Sequence, residues 1–467
     1  MDTIAALATP EGRGATAMVR ISGAQAVAAA RALLGPRCPL LPRHAHFVTL
    51  RCPTRGDVID QGIAILFPAP ASFTGEDVVE LQLHGSPAIV ERTLQVLTSQ
   101  GVRLAAPGEF TQRAYLLGKL DLTQAEAVAD VIESASAEAS RAALKTLTGE
   151  FSRTLNQLLG DLIHVRVKLE AQLDFPDEEV PDVSPEDLLA LRGLLARVDE
   201  VLQAGRRGWR QVQGLDVALI GAPNVGKSSL LNRLCGEDLA IVTDLPGTTR
   251  DVIRGQALLR GVPVTFHDTA GLRQSVDPVE RIGISKVAEV LRRVDVVLRM
   301  HAPDAPAPSD WFAPNELPAD LSVIEVHNKS DIATRTRPAT ASVEAEAETL
   351  PPTATLQSYV DGGATVVPAI EISAKTGEGI ETLIDALVGP ATDEAGIEPF
   401  SARPRHLHAL SQVRIHLLAA SACAEAHTAD LAAQHLSDAQ HALSEITGEY
   451  TNEDLLGAIF SSFCIGK

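Results

Sequence analysis

Residues 221 to 228 read GAPNVGKS: a glycine, four variable positions, a second glycine, a lysine and a hydroxyl residue. That spacing makes a phosphate-binding loop. Gly221 and Gly226 let the backbone curl so that its N–H groups point inward at phosphate oxygens. Lys227 adds a point charge for the β- and γ-phosphates. Ser228 offers a hydroxyl to Mg²⁺ and opens a helix whose N-terminus favours anions. The apolar run Leu215 to Ile220 predicts a buried strand ahead of the loop. Ser229 to Leu234 predicts the helix after it, ended by Gly236.

Three later motifs choose the nucleotide. Asp268-Thr269-Ala270-Gly271 follows a predicted strand at Val262 to Phe266. Its Asp can reach a metal through water, and its Gly N–H can bond a γ-phosphate. Asn328-Lys329-Ser330-Asp331 closes a predicted strand at Leu321 to Val326. A carboxylate at Asp331 can accept two hydrogen bonds, from the N1–H and N2 amino groups of guanine. Adenine cannot supply that pair, so the motif selects GTP. Ser373-Ala374-Lys375 ends a predicted strand at Val366 to Ile372, placed to hold the base from its other side. Four motifs in order, each at a strand end, predict a GTPase. Thr248 and Thr249 fall where a switch loop would place a Mg²⁺-binding hydroxyl. Ras-like GTPases carry a water-orienting Gln just after Asp-x-x-Gly; here that position is Leu272, which cannot orient water. The nearby acids are Asp277 and Glu280, which from chemistry alone read as solvated switch-region charges.

The elements that must position these residues belong to a chain of 467 residues, long enough for two to four domains. Hydrophobic content of 45% with 21% charged residues is globular, and 3% aromatics suits helices packed through small and aliphatic side chains. A net charge of −20 argues against non-specific nucleic-acid binding through bulk electrostatics. Any RNA contact then uses a local patch or a partner protein. Cys38, Cys52, Cys235, Cys423 and Cys464 show no metal spacing. Their odd number, with no secretion signal, predicts a reducing cytoplasm. No 18-residue apolar span is present, so no membrane is expected.

Residues 1–118 mix predicted strands (Thr16 to Ile21, Gly62 to Phe67, Val78 to Leu83) with a helix at Ser86 to Gln100, an α+β block. Residues 119–213 read as helical, with Thr123 and Glu126 as a possible capping box and a second helix at Pro185 to Ala204. Residues 214–388 hold the βα alternation of a doubly wound sheet. Within them Ile332 to Gly363, rich in Ala, Thr, Glu and Pro, reads as a flexible surface insertion. Residues 389–467 are helical again from about Arg405. Four Lys/Arg against seven Asp/Glu between 401 and 467 exclude a basic nucleic-acid arm there. The GTPase segment thus looks inserted into a helical domain made of the segments on either side. The closing Cys464-Ile465-Gly466-Lys467 leaves two readings open: a thiol activated by a nearby cation, or a small residue packed near a helix end.

Taken together, DTIAALATPEGRG with VRISG, FTGEDVVELQLHG, PGEFTQRAYLLGKLDLTQAEAVADVI, LDFPDEEV, IVTDLPGTTRD, VERIGI, LSEITGEYTNEDLLGAIF and FCIGK resemble the MnmE (TrmE) family of tRNA modification GTPases. The resemblance spans essentially the whole chain apart from the insertion. It implies an N-terminal folate-binding domain that dimerises, a discontinuous helical domain, and an inserted Ras-like GTPase domain. It implies a homodimer that joins an FAD-dependent partner, MnmG (GidA), in a heterotetramer. Together they modify C5 of the wobble uridine of certain tRNAs, using a one-carbon unit from 5-formyl- or methylene-tetrahydrofolate with glycine or ammonium. GTP hydrolysis is required, and K⁺ supplies the charge that an arginine finger gives elsewhere.

By the same resemblance the GTP site comprises Asn224, Val225, Gly226, Lys227, Ser228 and Ser229, the run Thr243-Asp244-Leu245-Pro246-Gly247-Thr248-Thr249, and the DTAG, NKSD and SAK residues. Asn224, Thr243, Leu245 and Thr248 match the K⁺ site; Ser228 and Thr249 match the Mg²⁺ hydroxyls. Glu280 matches the general acid/base, which supplies what Leu272 lacks. Arg20, Glu80, Lys119 and Lys467 match folate-binding positions, and Cys464 matches a terminal Cys important for modification. Leu117, Ser86 and Arg299-Met300-His301 depart from the family pattern. A ribosome-assembly switch GTPase of the Era or Der kind is the alternative; it predicts a basic RNA-binding module. A folate carrier with a merely regulatory GTPase is a third.

Overall fold

The computed structural model describes residues 1–35, 38–174, 185–236, 253–268, 294–305, 322–332, 359–361, 364–389, 398–426, 428–448, 453–461, 463 and 466. They fall into two compact units: 1–133 with 143–205 and 400–467, and 134–142 with 206–399.

In the first unit, six strands form one sheet: β1 (Ile4–Leu7), β2 (Gly14–Ser22), β3 (His46–Arg51), β4 (Val58–Phe67), β5 (Val78–Gly85) and β6 (Arg103–Leu104), in the order β3-β4-β5-β2-β1-β6. Alternation along β2 buries Val19 and Ile21 while Met18 and Arg20 lie half-buried on the other face. Helices α1 (Ala26–Leu34) and α2 (Pro87–Ser99) cover the buried face, Pro87 taking the first helical turn, where its missing N–H costs nothing. Each predicted strand here exists and runs one to four residues longer at an end, because β-pairing continues past the apolar core.

The same unit holds α3 (Glu109–Leu116), α4 (Leu122–Glu133), the C-terminal part of α5 (Ala137–Leu147), α6 (Glu150–Asp174) and most of α7 (Pro185–Gln213). The expected capping box lies two residues away from its predicted place. Asp121 Oδ1 accepts from Gln124 N at 2.9 Å, and Gln124 Oε1 accepts from Asp121 N at 3.0 Å, a reciprocal cap on α4. Thr123 instead bonds Ser152, and Glu126 turns inward.

Glu126, 2% exposed, is gripped by Arg405 through two hydrogen bonds of 2.8 Å. His406 Nδ1 accepts from Arg403 N at 3.1 Å, so the ring proton sits on Nε2, which lies 2.8 Å from Glu126 Oε2. Burial pushes the Glu126 carboxyl up, but His406 and Arg405 outweigh it and hold the pKa at about 2. A depressed carboxyl stabilises the fold above its ordinary 4.5 and stops doing so as pH falls toward 2. Glu126→Ala is therefore expected to lower stability by about 3 kcal/mol at pH 7, where it strands the half-buried Arg405 guanidinium and the buried His406 ring. The deficit should shrink in acid; an equal deficit at pH 7 and pH 3 in urea unfolding contradicts this account.

Arg405 and His406 open α10 (Pro404–Glu425), which is followed by α11 (Ala429–Thr447) and α12 (Glu453–Ser461). Phe151 at the start of α6 stacks on Phe400 with centroids 4.4 Å apart. The C-terminal segment returns to the N-terminal block: Phe460 and Phe463 pack with Leu122, and a Cβ on Gly466 would lie 2.0 Å from the Leu7 carbonyl oxygen of β1.

The second unit is a seven-stranded sheet of β7 (Leu215–Gly221), β8 (Ile253–Leu259), β9 (Val262–Asp268), β10 (Val296–His301), β11 (Ser322–His327), β12 (Tyr359–Asp361) and β13 (Ala364–Glu371), in the order β12-β13-β11-β10-β7-β9-β8. The five inner strands run parallel and the edge strands β8 and β12 antiparallel. Buried on both faces, β7 and β10 read as the near-continuous apolar runs such strands require. Strand β12 lies inside the segment expected to be an insertion; only residues 359–361 of 333–363 are described. Helices α8 (Lys227–Cys235) and α9 (Ile380–Val388) bury Leu230, Leu231, Leu383 and Leu387 in the core of this unit.

Candidate functional site

Strand β7 runs into the loop 221–226 and α8 opens at Lys227, two residues earlier than its apolar pattern predicts. The two glycines do different work. Gly226 caps α8 at φ +100, a left-handed conformation that exposes the first N–H groups of the helix. Gly221 has no such angle; a Cβ there would meet the Met300 carbonyl oxygen of β10 at 2.6 Å. It is needed for close strand packing rather than for the curl. Asn224 sits at φ +65, which Asn tolerates, and is exposed at the loop's tip. Val225 packs inward, 1% exposed. Ser228 and Ser229 are exposed on the first turn of α8. Lys227 Nζ donates to the carbonyls of Gly221 at 2.7 Å and Ala222 at 2.9 Å, so the ammonium is folded against the loop it serves.

The base-side motifs converge on the same loop through one residue. Asn328, 3% exposed, donates from Nδ2 to Val225 O at 2.8 Å and accepts on Oδ1 from Ala374 N at 2.9 Å. One amide thus ties the phosphate loop to the SAK loop. Ser373 Oγ donates to Asp331 Oδ1 at 2.8 Å, which orients that carboxylate, and Ser330 N donates to Ile372 O at 3.1 Å. Lys329 holds both carboxylate oxygens of Asp304 at 2.7 and 2.8 Å. Arg233 on α8 donates to the carbonyls of Ala374 at 2.8 Å and Lys375 at 2.6 Å, a support the sequence reading missed. Its only sequence signal was a cation in the last turn of the predicted helix. The departure at Arg299-Met300-His301 is compensated within the sheet. Glu325 on β11 takes Arg299 at 2.9 Å and His301 at 2.6 Å.

Asp268 ends β9, beside β7 in the sheet. Thr243, Asp244, Leu245, Pro246, Gly247, Thr248, Thr249, Thr269, Ala270, Gly271 and Glu280 lie outside the described residues, as do Cys464 and Lys467.

Gly226→Ala is doubly excluded: the left-handed angle strains any L side chain, and the new Cβ would come 2.2 Å from Asn328 Nδ2. The variant should lose nucleotide binding at least tenfold and melt lower, since displacing Asn328 leaves buried polar groups unpaired at about 1–3 kcal/mol each. Wild-type GTP affinity and melting temperature in this variant would contradict the arrangement.

A second cluster lies in the first unit. Arg20 on β2 and Glu80 on β5 stand opposite each other in register, with Nε–Oε1 at 3.0 Å. The Arg20 guanidinium lies over the rings of Phe73 and Phe110, 5.5 and 5.7 Å from their centroids. Lys119 Nζ donates to Pro70 O at 3.1 Å, and its stem runs past Gly75. Arg20 and Lys119 therefore both touch the 68–77 loop. Gly466 packs on Leu7, next to the β1 residue Ala6 that pairs with Arg20.

With this geometry in view, the comparisons with known proteins agree with one another. A family model described as the MnmE helical domain matches residues 122–464, and one described as the GTP-binding protein TrmE N-terminus matches residues 3–119. The tRNA modification GTPase MnmE of Nitrosomonas europaea is 45% identical over 477 residues, covering 100% of this chain and 99% of that protein. The proteins of the same name from Neisseria meningitidis serogroup B (45% over 470 residues, 100% and 99% covered) and Bordetella avium (44% over 475 residues, 99% and 99% covered) are similar to it as well. Among solved structures, the G domain of the T. maritima FeoB iron transporter aligns at 24% identity over 38% of this chain and 99% of that one, with a TM-score of 0.25, too loose a superposition to carry an argument. Among the described residues no helix is long and apolar enough to cross a membrane.

Proposed function

The chain belongs to the MnmE (TrmE) family of tRNA modification GTPases, and on that premise we propose that it spends GTP hydrolysis on modifying C5 of the wobble uridine of certain tRNAs. It does so as a homodimer, with an FAD-dependent partner of the MnmG kind and a tetrahydrofolate derivative as one-carbon source. The observation that carries the nucleotide half is Asn328, whose single amide fastens the phosphate loop to the loop behind the base. Both ends of a nucleotide are then read by one rigid constellation.

In this reading the loop N–H groups and Lys227 hold the β- and γ-phosphates, and Asp331, set by Ser373, accepts from the guanine edge. Glu280 positions the water that attacks the γ-phosphorus and takes up its proton as the bond to the β-phosphate oxygen breaks. Ser228 is an exposed hard oxygen donor at a helix start and fits Mg²⁺, with Thr249 as the second hydroxyl. Mg²⁺ would supply charge neutralisation between the phosphates. Asn224, exposed at the tip with an amide oxygen to offer, fits K⁺ together with Thr243, Leu245 and Thr248. K⁺ would add a positive charge where negative charge develops. Arg20, Glu80, Lys119 and Lys467 bind the folate. The Arg20 guanidinium against two aromatic rings, beside a carboxylate, supports a flat, polar-edged ligand there. The thiol of Cys464 serves the modification step.

K⁺ activation has a direct check. In Asn224→Ala the ratio of GTPase rates in K⁺ and Na⁺ buffers should fall to about one, because a single hard ligand is lost from the ion. The K⁺/Na⁺ ratio of the wild-type chain, found unchanged in the variant, would remove Asn224 from the ion site.

A further inference from the structure

We propose that His416, His435 and Asp438 form a binding site for one first-row divalent metal ion of the zinc class, bracing α10 against α11. His416 lies near the middle of α10. His435 and Asp438 are three residues apart on α11 and therefore share a face. One ligand atom from each of the three lies within 4.8 Å of the others.

The distances favour an ion over a direct contact. The two Nδ1 atoms are 3.4 Å apart, the outer limit for a hydrogen bond between them. His416 Nδ1 and Asp438 Oδ2 are 3.9 Å apart, beyond it. Three ligand atoms thus face one another, held by one long imidazole–imidazole contact and one wider His–Asp approach. A tetrahedral ion bound at about 2.0–2.1 Å spaces its nitrogen ligands about 3.3–3.4 Å apart, which matches the 3.4 Å between the two imidazole nitrogens, while the carboxylate oxygen at 3.9 Å would close in on binding.

The surroundings fit the same reading. Gln434 Nε2 donates to Asp438 Oδ1 at 3.1 Å, which fixes the carboxylate with Oδ2 toward His416. A hydrogen bond of that kind commonly orients a metal-ligating carboxylate. Buried Ala420, Ala432 and Ala439 let the two helices approach closely. The His416 and Asp438 side chains keep 27% and 42% exposure, so an ion can enter and a water can take its fourth position. Two imidazoles and one carboxylate suit Zn²⁺, Co²⁺ or Ni²⁺ rather than Mg²⁺ or Ca²⁺, which prefer oxygen alone. The brace would act at a hairpin that reaches the N-terminal helices, since Gly448 O just past α11 accepts from Tyr115 of α3 at 3.2 Å.

The test uses the full chain, freed of any affinity tag and of metal, titrated with Co²⁺ by visible absorption and then with Zn²⁺ in competition. One saturating equivalent with the intense bands of four-coordinate Co²⁺ is expected, together with a higher melting temperature in Zn²⁺. His416→Ala and His435→Ala should each weaken binding at least tenfold, and Gln434→Ala about tenfold. His441→Ala, on the same helix but outside the cluster, should bind as wild type. Melting temperatures without metal verify that the variants fold. Absence of a saturable equivalent, or undiminished binding in the His416→Ala, His435→Ala double variant, overturns the proposal.

Discussion

Asp331→Asn is expected to weaken GTP binding by about 10²- to 10⁴-fold, because two hydrogen bonds to a charged acceptor are worth about 3–6 kcal/mol together. The same change should improve binding of xanthosine triphosphate, whose base offers a carbonyl where guanine offers its amino group. The neutral side chain turns an N–H toward that carbonyl. Ser373 fixes the orientation of the Asp331 side chain, so the swap changes chemistry at an already placed group. Competition against a fluorescent guanine nucleotide measures both numbers. An unchanged preference between the two triphosphates would take Asp331 out of the base pocket, and with it the assignment of GTP by this motif.

Glu280→Ala should bind GTP within about twofold of wild type and hydrolyse it about 10²- to 10⁴-fold more slowly, the usual contribution of a general base. Leu272 cannot orient water, so no neighbour in the DTAGL run replaces the lost carboxylate. Glu280 lies outside the described residues, and its role rests on the family's pattern in VERIG. Single-turnover hydrolysis in K⁺ buffer separates binding from chemistry. Wild-type turnover with wild-type affinity would pass the role to another group, and Asp277 is the next acid in line.

The strand–loop–helix frame that carries the nucleotide motifs was legible because those motifs are local. A run such as Leu215 to Ile220 fixes a strand, and the strand delivers the loop. What was not legible is what joins the motifs. Asn328 looked like one letter of NKSD, and nothing in the sequence says that its amide would reach Val225 and Ala374 more than forty positions away on either side. Gly221 looked like half of a flexible pair, yet its need comes from a carbonyl on β10 that only the folded sheet brings near. The capping box was misplaced because two overlapping cap patterns, Asp121 with Gln124 and Thr123 with Glu126, compete in one stretch. Tertiary pairing decided between them: Arg405 claimed Glu126. Strand β12 escaped notice because three residues at a sheet edge carry too little periodicity to stand out from a polar segment. The Arg20–Glu80 pair is an ordinary alternating β-position on each strand, and only the register makes it a site.

The central claim is tested most directly by nucleoside mass spectrometry of tRNA from a host lacking its own MnmE-family protein, complemented with this chain or with its Cys464→Ser form. The wild-type chain is expected to restore aminomethyl-type substituents at C5 of the wobble uridine. The Cys464→Ser form, folded and still hydrolysing GTP, is expected to fail. Unmodified wobble uridine in a host that expresses the wild-type chain, its K⁺-stimulated GTPase and the chain's own MnmG-type partner would contradict the account and favour a ribosome-assembly GTPase.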